Sequence, residues 1–242
     1  MAYEYKVIKN NKILRAIDIK KFGSDDSIQS GSFQDLWTGG EVYQAWDHAA
    51  DKPRLIVAAG DVGVELTIQG QDADGYFQTE TLLSTSTDTD FTKDFSGAIP
   101  RAWVSGSQVP TADIEIRYQD NVLAAHVPYD ANQTLQLFWV VPRGFHAICK
   151  GFRFNIGKGK DATVRQRSRA VGEIWRTQDT MYLYENSIDY PCKIHNIIPE
   201  MTQITFEANG GGTGIPLAGV AEFTLVENDI IDGKGTSYNP NG

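Results

Sequence analysis

Residues that carry chemistry are scarce in this sequence. It has two cysteines, Cys149 and Cys192, and four histidines among 242 residues. Two thiols exclude the disulfide framework that holds many small secreted domains together. One bridge stays open in principle, but a chain made in a reducing cytosol is expected to keep both thiols free. No apolar run approaches the roughly 20 residues that span a bilayer as a helix. The first ten residues alternate charged and apolar side chains without a hydrophobic h-region, so no signal peptide is expected. Positive charge is in deficit too: 22 Lys and Arg stand against 31 Asp and Glu, for a formal net charge of −9. Phosphate binding needs a positive field, so this balance argues against a whole-surface nucleic-acid binder.

Catalytic and ligand motifs are equally thin. There is no G-x-S-x-G elbow, and none of the histidines sits in a supporting motif. The stretch from Gly151 to Gly157-Lys158 has the wrong spacing for a phosphate loop, with Gly159 where Ser or Thr should stand. The glycine run at 209–214 has no Lys-Ser/Thr. His146-x-x-Cys149 and Cys192-x-x-His195 could supply a Cys₂His₂ metal set. Residues three apart on a strand point to opposite faces, however, so two buried thiols and two incidental histidines is the preferred reading. Asp72-Ala73-Asp74-Gly75 with Glu80 resembles part of a calcium loop but lacks its third acidic ligand, and a tight turn explains the same residues. A carboxylate pair for glycoside hydrolysis stays open, because only its separation in space identifies one. The expectation is no enzyme, no metal and no cofactor.

What the sequence does have is a period of two. Val62, Val64, Leu66 and Ile68 alternate with polar residues or glycine, as do Ile114, Ile116 and Tyr118. Leu135, Leu137 and Trp139 share one face of a run whose other face holds Phe138 and Val140, and Phe152 and Phe154 flank Arg153. β-branched and aromatic residues fill these segments, and Asp72–Gly75 and Val141–Gly144 read as turns between strands. The fold class expected is all-β, a jelly-roll-like β-sandwich or two packed β subdomains. The boundaries expected are an extended N-terminal arm at 1–23, a first sandwich half at 24–130, a second at 131–228 and a flexible tail at 229–242. The arm is locally basic, and an arm that cannot bury itself is expected to pack on a neighbouring subunit.

One surface feature stands out. Arg165, Arg167 and Arg169 recur at spacing two, so they leave one face of one strand, with Lys150, Arg153, Lys158 and Lys160 nearby in sequence. In an acidic chain this segregation predicts a docking face for an acidic partner. An ordinary solvated face balanced by Glu173, Asp179 and Glu185 is an equal reading. If the stripe is solvent-facing, replacing its three arginines with Glu should leave folding nearly intact.

Several short motifs occur in a fixed order. Lys21-Phe22-Gly23 precedes Asp35-Leu36-Trp37 and Gly39-Gly40-Glu41-Val42-Tyr43; Gly70–Gly75 follows, then Leu137–Gly144, Cys149–Phe154, Lys160–Arg165, Trp175–Asp179 and Ile198–Ile204. Together, over about residues 20–227, they resemble a family of virion structural proteins of tailed bacteriophages common among phages of aquatic bacteria. The resemblance implies a non-enzymatic virion component made in the host cytoplasm, with a capsid decoration or cement protein preferred. The alternatives are a collar, tail or fibre-attachment component and, from another class, a carbohydrate-binding or -cleaving tail module. Expected partners are the chain itself, as a homotrimer, and other virion proteins such as the major capsid protein, without direct contact to nucleic acid or membrane.

Overall fold

A computed structural model of the chain describes residues 3–9, 12–38, 52–185, 187–192 and 197–228, with side chains from residue 16 onward. The chain opens with a hairpin of β1 (Tyr3–Lys9) and the long β2 (Lys12–Ile28), followed by the short β3 (Gln34–Asp35). Next come β4 (Arg54–Ile56), β5 (Glu65–Gln71), β6 (Phe77–Leu83), β7 (Asp88–Asp90), β8 (Ala98–Val104), β9 (Ile114–Arg117) and β10 (Leu123–Val127). The remainder is β11 (Phe138–Val140), β12 (Phe145–Ile156), β13 (Asp161–Ala170), β14 (Arg176–Tyr184), β15 (Ile188–Pro191), β16 (Ile197–Ile198), β17 (Thr202–Gly210) and β18 (Ile215–Glu227). Among the described residues the only other regular element is a 3-10 turn at Ala59–Asp61.

The strands form four antiparallel sheets. Two have the orders β1-β2-β18-β12-β15, with β16 added to β12, and β11-β17-β13-β14, with β3 added to β17. The other two run β10-β9-β4-β7 and β6-β5-β8. Side chains from the first two sheets share one core, including Leu137, Phe154, Val164, Phe206 and Phe223. The last two share a second core, including Leu55, Ile68, Ile99, Ile116 and Val127. We term these the outer and the inserted lobe, because β4–β10 lie in sequence between β3 and β11, which both pair with β17.

Alternation builds the outer core. Along β18, Leu217, Gly219, Ala221, Phe223 and Leu225 face in while their neighbours are more exposed. Phe206 meets the rings of Phe152 and Phe154 at 4.8 and 5.7 Å, and Trp139 meets Phe223 at 4.9 Å. Each such buried ring contributes about 1.5–3 kcal/mol. β11 is buried on both faces. Trp139 points into the outer core, whereas Phe138 and Val140 pack on Ala98 of the inserted lobe. That is why its sequence reads as a continuous apolar run and not as an alternation.

The all-β expectation holds, but the organisation along the chain differs. The segment expected as an arm, 1–23, is strand over most of its described length: β2 bonds β1 on one side and β18 on the other. Its inward positions run Ile17, Ile19, Lys21, Gly23 and Asp25, while Phe22 faces out and is 44% exposed. Lys, Gly and Asp at inward positions conceal the strand from a search for apolar alternation. Residues 24–36 also belong with 137–227, so the expected halves 24–130 and 131–228 become an outer lobe split in sequence and one inserted lobe. Val62 is an exposed turn residue, and its strand begins at Glu65. The expected tail at 229–242 lies outside the described residues.

The cysteines require a correction. Cys149 and Cys192 were expected as free thiols, yet they form a disulfide with a Cα–Cα separation of 6.2 Å. β12 and β15 pair with Gly151 opposite Pro191, and the Cys192 amide donates to the Lys150 carbonyl at 3.0 Å. Strand pairing thus delivers the two sulfurs to each other within bridging range. A thiol titration of unreduced, denatured protein is expected to find no free thiol, and to find both after reduction.

Candidate functional site

Three of the ordered motifs, far apart in sequence, meet in space. The Asp72–Gly75 turn is closed by the Asp72 carboxylate, which accepts from the amides of Asp74 and Tyr76 at 3.0 and 2.9 Å. Its Gly75 carbonyl accepts from the Arg143 amide at 2.9 Å, inside the Val141–Gly144 turn. Val141 in turn exchanges backbone bonds with Met201 and Thr202, at 2.8 and 3.0 Å. Glu200 accepts from the Gly144 amide at 2.6 Å and from the Asn228 side chain at 3.0 Å. Arg143 also stacks over Tyr76, its guanidinium 5.5 Å from the ring centre. These residues join the inserted lobe to the outer one. The carboxylate of Glu80, the other residue of the calcium-like pattern, is engaged elsewhere by Thr92 and the Lys93 amide.

The arginine stripe is where the alternation placed it, on the outward face of β13, but it is not bare. Arg165 and Arg167 both bind Glu207 of β17, at 2.6 and 2.7 Å, and Arg169 donates to Gln203 at 2.8 Å. Pairing of β13 with β17 sets Arg165 opposite Glu207 and Arg169 opposite Gln203, so the register itself supplies these partners. Aromatic rings cover the guanidinium groups. Arg165 lies 3.9 Å from the centre of the Phe33 ring, and Arg167 and Arg169 lie 5.5 and 4.7 Å from Trp175. The stripe is therefore a half-buried ladder with internal partners.

The remaining basic residues of the expected docking face are not brought to it. Lys150 and Arg153 leave β12 on the side away from the shared core, where they bind Asp18 at 2.7 Å and Asp189 at 3.0 Å. Arg153 and Arg165 thus point out of opposite sides of the outer lobe. Lys158 and Lys160 sit in the exposed hairpin between β12 and β13.

A different surface was not singled out from the sequence. Among the described residues β14 is the unpaired edge of its sheet, and Met181 and Leu183 face the core while Tyr182 and Tyr184 project outward, 77% and 74% exposed. Ile174, just before it, is 75% exposed. Alternation places Met181 and Leu183 on one face of this strand, but by itself it does not tell that the tyrosines between them meet solvent and not a second layer. Such an edge offers unpaired backbone groups and apolar area to another chain. Beside it opens a cleft of about 640 Å³ between β13–β14 and β15–β16, lined by the disulfide, Gln166, Arg169, Asp179 and Tyr190. A hydrogen bond to Asp179 raises the pKa of the Tyr190 phenol above its ordinary value. Among the described residues no group of three His, Cys, Asp or Glu could hold a metal ion; His195 lies outside them. No described helix is long and apolar enough to cross a membrane.

No family model and no curated protein matches this chain. Similar solved structures include the VP2 subviral particle of infectious bursal disease virus, 8% identical over 89% of this chain and 73% of that one, with a TM-score of 0.26. Particles with T=1 symmetry derived from infectious bursal virus give 11% identity, 96% and 78% coverage and a TM-score of 0.19. At such scores the likeness carries no argument about function.

Proposed function

We propose that this chain is a non-enzymatic virion structural protein of a tailed bacteriophage, acting as a capsid decoration or cement protein. The observation that carries this reading is the division of labour among its residues. The motifs at 70–75, 141–144 and 198–202, which resemble that phage family, are engaged in joining two lobes, and a strand edge with outward tyrosines, uncovered among the described residues, remains for assembly. We read the lobes as two jelly-roll-like β-sandwiches. Four sheets would also suit a four-bladed propeller, but propeller blades are built from consecutive strands, whereas β18 here lies between β2 and β12. The partners are further copies of the chain, closed as a homotrimer, and the major capsid protein, engaged through many weak contacts at once.

Placing Lys at both Tyr182 and Tyr184 tests the edge. Both side chains are exposed, so stability should change by no more than about 0.5 kcal/mol. Light scattering is expected to show an oligomer for the wild type and its dissociation in the variant, and loading onto particles should fall with it. A variant that assembles and loads like the wild type would remove the edge from the proposal. Copy number in purified particles separates the placements: hundreds favour decoration, while a ring-like handful favours a collar, tail or fibre-attachment component. The polar, aromatic cleft beside β14 favours a second reading, a carbohydrate-binding or -cleaving tail module. Binding on a glycan array that is lost on replacing Arg169 and Tyr190 would support it.

A further inference from the structure

The joint between the lobes encloses a second space, of about 290 Å³, walled by Ile17, Ile19, Phe77, Trp139, Phe145 and Leu225. The charged residues lining it are all cations: Lys20, Lys21 and Arg101. Lys20 is neutralised by Glu222 at 2.8 Å. Lys21 and Arg101 have no acidic partner among the described residues. Lys21 is only 8% exposed, and the one acceptor shown for its three ammonium protons is the Pro100 carbonyl, at 2.5 Å. Arg101 is half-buried and stacks over Trp103 at 4.8 Å. A buried cation without a counter-charge is costly, and this chain has acidic residues in excess but places none in the wall.

We propose that this junction pocket is a binding site for a compact amphiphilic monoanion, whose carboxylate or equivalent group bridges Lys21 and Arg101 and whose apolar body fills the space between the lobes. The pocket resembles known small-molecule sites in form: an apolar wall with a few converging polar groups at a boundary between two units. The site is independent of the assembly surface on β14. Without a ligand, burial first and the Arg101 charge second lower the Lys21 pKa to about 7. A bound anion would favour the charged amine and raise that pKa again. Binding therefore takes up a proton above about pH 7, and affinity weakens as pH rises, by at most tenfold per unit. Lys20 remains paired with Glu222.

Calorimetric titration of the full chain with octanoate, and with octanol as its neutral counterpart, tests the site. Octanoate should bind once per chain, about tenfold or more tighter than octanol at pH 6.5, as one charge-assisted contact implies. Its affinity should fall between pH 6.5 and 8.5. Arg101→Gln should weaken octanoate at both pH values, and Lys21→Met should weaken it and abolish the pH dependence. Should Lys21→Met fail to fold by circular dichroism, the half-buried Arg101 variant decides alone. Equal binding of octanoate and octanol, or octanoate binding indifferent to Arg101→Gln, would overturn the proposal.

Discussion

Gly23→Ala is expected to destabilise the protein by about 3 kcal/mol, the upper end of what overpacking costs, although it adds one methyl group. A Cβ at this position would lie 2.5 Å from both the Cβ and the backbone nitrogen of Leu137 and 2.7 Å from the Leu36 carbonyl. Backbone cannot yield as a flexible side chain does. The neighbouring Ser24 amide donates to the Leu135 carbonyl at 3.0 Å and the Leu137 amide to Leu36 at 2.9 Å, so the chains entering and leaving the inserted lobe are tied down where they cross β2. Across the sheet, Gly219 pairs with Gly23 and lies under the Phe154 ring, which removes the other direction of escape. The melting temperature should drop by roughly 6–12 °C. Gly212→Ala is the control: its added Cβ meets nothing within 4 Å, and no change is expected. Equal melting temperatures for the two variants would mean that the crossing is looser than its distances imply.

That crossing also shows what the sequence could and could not reveal. Alternation at 114–118 and 152–154 located strands because their inward residues are Ile, Tyr and Phe, each buried in a core. The same rule failed on β2, whose inward positions include Lys21, Gly23 and Asp25, all buried for reasons other than hydrophobicity. Gly23 is there for space and Asp25 for its bonds to the Ser27 amide and Gln34, at 2.7 and 2.8 Å. Lys21 faces the junction pocket. None of these reasons is local, so no window of sequence contains them. The arginine stripe was legible in its spacing but not in its surroundings, since Glu207, Phe33 and Trp175 arrive from elsewhere in the chain. The disulfide was hidden for the same reason, its cysteines being 43 residues apart and joined by strand pairing.

Removing the carboxylate in Glu207→Ala is expected to cost about 3 kcal/mol, the scale for breaking a buried ion pair. Glu207 is 8% exposed and holds Arg165 and Arg167 on separate oxygens. Its loss would leave two half-buried guanidinium groups on one strand face, about 7 Å apart by strand geometry, with no charge between them. Glu207→Gln keeps one acceptor oxygen and should fall between the alanine variant and the wild type in chemical denaturation. Replacing Arg165, Arg167 and Arg169 together with Glu should be worse than either. It strips the rings of Phe33 and Trp175 of their cations and gathers four carboxylates on one patch, so the chain is expected not to fold at low salt. High salt should recover part of the loss by screening the repulsion. This reverses what a solvent-facing stripe would predict, and it means that failure of the triple variant to load onto particles would report on folding and not on docking. Lys158 and Lys160, exposed in their hairpin, are the residues of the original docking set that can be reversed to Glu without disturbing a described ion pair. If the triple arginine variant instead unfolds at the wild-type denaturant concentration, the ladder contributes nothing to the fold, and the stripe regains its standing as a free surface for an acidic partner.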